Sequence, residues 1–223
     1  MAKQFKNYLG ALLKGEDLSS SEMSSLMNLI MTGELSSAQI ASCIVAMQIK
    51  GETPDEIAAA ASVMREHANK VIVEDSKYLI DTCGTGGDSL QTFNISTLSA
   101  IIAAAAGAKV AKHGGRSVSS KCGSADVLEV LGVNVNLDHK RLGQLVDAIG
   151  IGFMFAPNYH PAMKYVAPVR KELEIRTMFN LLGPLTNPAS AKRQIVGVYS
   201  KELTMTFAKV LQKLGSEHVL VVH

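Results

Sequence analysis

Up to about Asn69 the apolar positions recur at helical spacing. Ile40, Ile44 and Met47 share one face of a helix, and Ile57, Ala61, Met64 and Ala68 share a face of the next. The second of these helices has a readable start, because Thr53 can cap it, Pro54 suits its first position and Glu56 can complete a capping box. From Lys70 onward the pattern changes to short apolar runs, "KYLID", "AKVAKH", "GIGFMFA", "QIVGVYS" and "EHVLVVH". Each reads as a strand, and between them lie helical stretches around 96–106, 123–131, 140–149 and 201–214. Such alternation predicts a mainly parallel sheet with helices on its faces. The chain therefore divides into a small N-terminal helical domain over residues 1–70 and an α/β domain over 71–223.

Composition narrows the class. A hydrophobic content of 47% with 19% charged residues is that of an ordinary soluble globular chain. A formal net charge of +2 is too small for a general nucleic-acid binder, so any basic function is local. The most apolar stretch, Leu98 to Ala111, is interrupted by Gly107 and Lys109 and falls short of the ~18 residues a membrane span needs. The N-terminus has no signal-peptide layout. Cys43, Cys83 and Cys122 are odd in number and lack metal-type pairing, and they read as reduced thiols of a cytoplasmic protein.

Candidate chemistry sits where strands end. "DTCGTGGD", Asp81 to Asp88, follows the first strand, and "NIST" opens the next helix. Glycines let a ligand approach the main chain, and a helix N-terminus presents unpaired N–H groups and a positive dipole end that suit phosphate. Asn94, Ser96 and Thr97 add short polar side chains there. An ordinary turn with a helix cap is the other reading of this stretch. The spacing is neither GxGxxG nor a P-loop. A second constellation, "KHGGRSVSSKCGSAD", supplies the cations Lys112 and Arg116, Gly114 and Gly115, and the hydroxyls of Ser117, Ser119 and Ser120, a set suited to a pyrophosphate. A solvated turn with scattered cations is its alternative.

The third group is "APNYHPAMKYVAPVRKELEIRTMFNLLGPLTNP". His160 and Arg170 are ten residues apart and would lie about 15 Å apart along one helix, a picture that Pro168 complicates. Arg170 suits a carboxylate through its planar fork. His160 reads equally well as a helix-end residue bonded to a carbonyl, and "FNLLGPLTNP" reads as a rigid turn.

"DTCGTGGD", "NIST", "KHGGR" with "GSAD", and "RTMFNLLGPLTNP", in that order along the chain, resemble the anthranilate phosphoribosyltransferases of tryptophan biosynthesis. The resemblance implies a nucleoside phosphorylase-like fold, in which a helical domain stands beside a phosphoribosyltransferase α/β domain and serves as the homodimer contact. It implies transfer of the 5-phosphoribosyl group of phosphoribosyl pyrophosphate (PRPP) to the amine of anthranilate, with release of pyrophosphate and with Mg²⁺ as cofactor. By matching positions it places PRPP on Gly84, Gly86, Gly87, Asp88, Thr92, Asn94, Ser96, Thr97, Lys112 and Ser119, with Ser96 also near the metal. Anthranilate falls to Gly84, Gly115, His160, Arg170, Gly183 and Pro184, with Arg170 on its carboxylate. No general base is assigned, and neither nucleic acid nor membrane is expected as a partner.

Two departures follow from the same resemblance. The family pattern is usually "KHGNR", with an asparagine that helps hold anthranilate where this chain has Gly115. The family's acidic pair for a second Mg²⁺ comes shortly after the strand matching "HVLVVH", so the chain reads as a truncated, incomplete form with weak or no transferase activity. A pyrimidine nucleoside phosphorylase shares the architecture but differs in the glycine loop, and a nucleic-acid-binding relative would show a basic stripe.

Overall fold

Three capping boxes set the starts of the N-terminal helices. In the computed structural model, which describes residues 2–87, 93–116 and 122–223, the chain opens with α1 (Ala2–Leu13), α2 (Ser20–Met31), α3 (Ser37–Lys50) and α4 (Pro54–Glu66). Ser19 with Glu22, Ser36 with Gln39 and Thr53 with Glu56 each exchange side-chain and backbone hydrogen bonds at the helix entry. Met23, Met27 and Ile30 of α2, Ile40, Ile44 and Met47 of α3, and Ile57, Ala61 and Met64 of α4 are buried on the faces their spacing specifies.

Beyond α4 the order is β1 (Ile80–Asp81), α5 (Ile95–Ala105), β2 (Val110–Gly114), α6 (Ser124–Val130), α7 (His139–Ile149), β3 (Ile151–Phe155) and α8 (Ala156–Tyr159). There follow α9 (Ala167–Leu173), α10 (Met178–Leu182), β4 (Arg193–Gly197), α11 (Leu203–Lys213) and β5 (His218–Val222). Among the described residues five strands form one sheet in the order β3-β2-β1-β4-β5, and every pairing is parallel. The registers put Ile80 opposite Val110 and Arg193, and Arg193 opposite His218. Met154 and Phe153, successive on β3, enter different apolar clusters, the first with Leu142, Val146 and Ala111, the second with Ala125, Leu128 and Val135. Gly143 of α7 is needed for close packing, since a Cβ there would lie 2.0 Å from the carbonyl oxygen of Ile72.

The strand expected over 77–81 is shorter than its apolar run. Ser76 accepts from the Leu79 N–H in a turn, so pairing begins only at Ile80. Nor do His160 and Arg170 share one helix. The chain leaves α8 at Tyr159, passes through a 3-10 turn at Pro161–Tyr165 and restarts as α9, with a proline in the first turn of each restart. "FNLLGPLTNP" is helical in its first part, as α10 and a 3-10 turn at Gly183–Leu185, and is not a bare turn.

In space the chain forms two units, residues 1–68 with 160–182, and residues 69–159 with 183–223. The sequence boundary near residue 70 is thus a boundary along the chain, and the helical unit also takes in 160–182. Its physical reason is apolar burial: Val166, Val169, Met178, Phe179 and Leu182 are buried, and α9 and α10 pack on α3 and α4. The Tyr165 ring fills the space above Gly33, where a Cβ would come within 2.4 Å of it. No helix among the described residues is long and apolar enough to cross a membrane.

Candidate functional site

The sheet order fixes where to look. From β1 the chain moves to β2 and β3 on one side, while β4 and β5 lie on the other, so the strand order reverses at β1. In open parallel sheets ligands bind outside the carboxyl ends of the strands at such a switch point. The glycine loop follows β1 there. Gly86 and Gly87 take positive φ of 65° and 76°, conformations that side chains disfavour, and a Cβ on Gly84 would lie 2.8 Å from the Gly197 carbonyl oxygen at the end of β4.

Two hydroxyls and an amide tie this loop to its neighbours. Thr82 Oγ1 donates to the Ser96 carbonyl at 2.8 Å, drawing the loop onto the first turn of α5. The Thr85 N–H donates to the Gly197 carbonyl at 2.9 Å. Asn94 stands at the N-cap of α5 yet makes no side-chain cap hydrogen bond, so its amide is not committed to the helix. Ser96 is half-buried in the first turn, and Thr97 is buried with its hydroxyl donating to Ser124 Oγ at 3.0 Å. Asp88, Thr92 and Ser119 of the expected PRPP set, together with Ser117 and Ser120, lie outside the described residues.

Lys112 and Arg116, both read as cations for a polyanion, part ways. Lys112 on β2 is 3% exposed, and among the described residues its ammonium reaches the Thr82 carbonyl, at 3.4 Å. Arg116 is half-exposed and turned to α6, with Nη1 2.8 Å from Asp126 and 2.7 Å from Glu129, Nη2 2.9 Å from Glu129, and the Phe155 ring at 5.4 Å. Those hydrogen bonds raise its pKa further. Arg116 is therefore held to α6, and of these two cations Lys112 makes no ion pair among the described residues. At Gly115 a Cβ would meet nothing within 4 Å among the described residues.

Beneath the loops lies a buried polar network that sequence reasoning missed. Asp81 at the end of β1 accepts from Asn187 Nδ2 at 2.7 Å and from the His113 N–H at 3.1 Å. Asn187 also donates to the Ala111 carbonyl, and Gln194 of β4 donates to the Pro184 carbonyl at 2.9 Å. His113 Nδ1 lies 3.0 Å from the Gly183 carbonyl, and since a carbonyl only accepts, Nδ1 carries the proton. Gly183 and Pro184 are in this way bound to the strand ends of β2 and β4. Burial pushes the His113 pKa down to about 4, so the ring is neutral. Burial raises the Asp81 pKa against the opposing influence of Lys112 and its hydrogen-bond donors. Burial also pushes the Cys83 thiol up to about 12, which keeps it protonated and unfit as a nucleophile. The polar Asn of "LTNP" and Gln of "RQIVG" beside apolar runs were the available signal for this network.

His160 and Arg170 belong to the helical unit. His160 is buried, and its backbone carbonyl accepts from the Met163 N–H at 3.0 Å at the start of the 3-10 turn. Arg170 is half-buried on α9, with its guanidinium 5.9 Å from the Phe179 ring centroid and burial lowering its pKa. Among the described residues it makes no ion pair. No group of three or more His, Cys, Asp or Glu among the described residues could hold a metal ion. The one hard oxygen donor in the cradle expected at a metal is the Ser96 hydroxyl.

Residues 6–68 match the helical bundle domain of the glycosyl transferase family, and residues 76–223 match that family's a/b domain. The chain is 60% identical over 215 residues to the anthranilate phosphoribosyltransferase of Chromobacterium violaceum, covering 96% of this chain and 63% of that protein. Its fold is similar to the crystal structure of anthranilate phosphoribosyltransferase from Thermus thermophilus, with a TM-score of 0.91 and 46% identity over 96% of this chain and 65% of that one. It is also similar to the Saccharomyces cerevisiae enzyme in complex with PRPP and Mg, with a TM-score of 0.90 and 30% identity over 98% of this chain and 66% of that one. The chain thus spans under two thirds of the length of the curated relative, 63%. Matched in order by a helical domain and an α/β domain, the chain belongs to the glycosyl transferase family.

Proposed function

We propose that the α/β unit binds PRPP with Mg²⁺ at the carboxyl ends of β1 and β2, as half of an anthranilate phosphoribosyltransferase that transfers the 5-phosphoribosyl group to the amine of anthranilate. One observation carries the reading: among the described residues Lys112 is buried with no carboxylate in ion-pair contact, beside an open glycine loop and the uncapped start of α5. A buried ammonium without an ion-pair partner is costly, and an incoming diphosphate relieves that cost. Gly84, Gly86 and Gly87 allow the phosphates near the main chain, and Asn94 and Ser96 offer short polar groups at the positive end of α5. Asp88, Thr92, Thr97 and Ser119 complete the proposed set. Ser96 would give one oxygen to Mg²⁺, which when bound neutralises charge on the departing pyrophosphate.

The acceptor half of the reading rests on Arg170, whose fork suits the carboxylate of anthranilate. His160, Gly115, Gly183 and Pro184 are the further acceptor residues we propose. Catalysis in this reading is positioning and electrostatic stabilisation of the leaving group. Exposed Leu13 and Ile49 on the helical unit, 72% and 81% accessible, support a homodimer formed through it. The three free thiols fit a cytoplasmic location.

Titration calorimetry of the chain with PRPP and Mg²⁺ tests the donor half. The parent chain should release heat that a Lys112→Ala, Ser96→Ala double variant loses. Absence of heat from the parent at millimolar PRPP would overturn the reading.

A further inference from the structure

We propose that Thr85 is a positioning residue for the diphosphate of PRPP, a clamp that fixes the glycine loop across the switch point of the sheet. The strands β1 and β4 are neighbours, and their carboxyl ends flank the crevice where the strand order reverses. Thr85 spans that crevice by its backbone and by its side chain. Its N–H donates to the Gly197 carbonyl at 2.9 Å, and its Oγ1 accepts from the Tyr199 N–H at 3.1 Å. The hydroxyl proton is left to the Gly86 and Gly197 carbonyls, 3.2 and 3.4 Å away. The hydroxyl's proton and one of its lone pairs are thus directed at the protein, and Thr85 acts on a ligand through the backbone it holds.

The geometry around it says what is held. Gly84 seats directly against Gly197, with 2.8 Å between the carbonyl oxygen and the position of any Cβ, so the stem of the loop lies on the exit of β4. Gly86 and Gly87 then turn through their positive φ angles from that stem. On the other side Thr82 fastens the start of the loop to the first turn of α5. The glycines gain freedom to meet phosphate, and freedom alone is entropically costly to restrict on binding. Two threonine hydroxyls restrict it beforehand, and pre-organised donors are what a diphosphate cradle requires.

This inference rests on the reading of the loop as a PRPP cradle, and the test separates the two. Thr85→Val keeps shape and removes the hydroxyl, and Thr85→Ser restores it. Two readouts are taken on each: amide hydrogen exchange at Tyr199, and calorimetric affinity for PRPP with Mg²⁺. In Thr85→Val the Tyr199 amide should lose protection and the PRPP dissociation constant should rise about tenfold or more, while Thr85→Ser stays within about threefold of the parent. The melting temperature of Thr85→Val should hold within about 3 °C, since the side chain lies in a surface loop. Unchanged exchange at Tyr199 would show that the clamp does not exist. Lost protection with unchanged PRPP affinity would make Thr85 structural only and overturn the inference while leaving the cradle reading intact. A parent chain that keeps the Tyr199 protection but binds no PRPP would remove the cradle reading, and the inference with it.

Discussion

The two units bury charge in opposite ways. In the helical unit the Glu56 side chain is 0% exposed and Lys50 is 4% exposed, and they pair directly at 2.8 Å. The pair is densely bonded: Glu56 also accepts from the Leu18 and Thr53 N–H groups, and Lys50 also reaches Asp17 at 2.6 Å and the Gly51 carbonyl. In the α/β unit the buried cation Lys112 has one long contact to a carbonyl, and the nearby buried carboxylate of Asp81 is occupied by Asn187 and the His113 N–H. A buried pair bonded this densely joins three helix ends and holds its charges against each other. A buried cation with one long contact among the described residues costs stability, which supports the binding site proposed there.

The contrast is open to direct attack. The largest effect should come from Glu56→Ala, which strands Lys50 and two N–H groups and should cost about 3–5 kcal/mol in urea unfolding. A cost under about 1 kcal/mol would mean that the pair is not structural.

Next in size is a pH effect of the α/β unit. His113 has a folded pKa of about 4, below its unfolded value near 6.5, so the unfolded chain binds the proton more readily between these values. Its contribution is full above about pH 6.5 and falls away as pH drops towards 4, by about 3 kcal/mol in all. Asp81, with its raised pKa, opposes this trend at the acid end. Chemical unfolding at stepped pH should show the slope, and a His113→Asn variant should flatten it.

The smallest stability effect should be that of Lys112→Met. Lys112 makes no ion pair among the described residues and acts on buried Asp81 only at longer range, so its removal should leave stability within about 1 kcal/mol of the parent even as the proposed PRPP binding is lost. A loss above about 2 kcal/mol would place Lys112 among the structural charges and erase the contrast with Lys50.

Much of the fold was legible because it follows from local patterns. The apolar runs ending at Asp81, His113, Ala156, Ser200 and His223 each overlap an observed strand, and the helix at 54–66 begins where Thr53, Pro54 and Glu56 place it. The glycine loop and the start of α5, the proposed ligand cradle, were legible for the same reason, since backbone freedom and helix-start N–H groups are properties of a short stretch. The site's supports were not. Asp81 and Asn187 are 106 residues apart in sequence, and nothing in either neighbourhood names the other. The split between Lys112 and Arg116 was equally hidden, because it depends on Asp126 and Glu129 presenting carboxylates from α6.

The sequence by itself determined the elements, their alternation and the places where glycine, proline and capping residues interrupt them, since these are set by dihedral preference and hydrophobic period over a few residues. Only the tertiary structure decided that 160–182 joins the helical unit, that the strand order reverses beside the glycine loop, and which charges are matched. Those outcomes depend on which apolar faces find one another and on which polar groups are trapped between them, and neither is a property of any single stretch of chain.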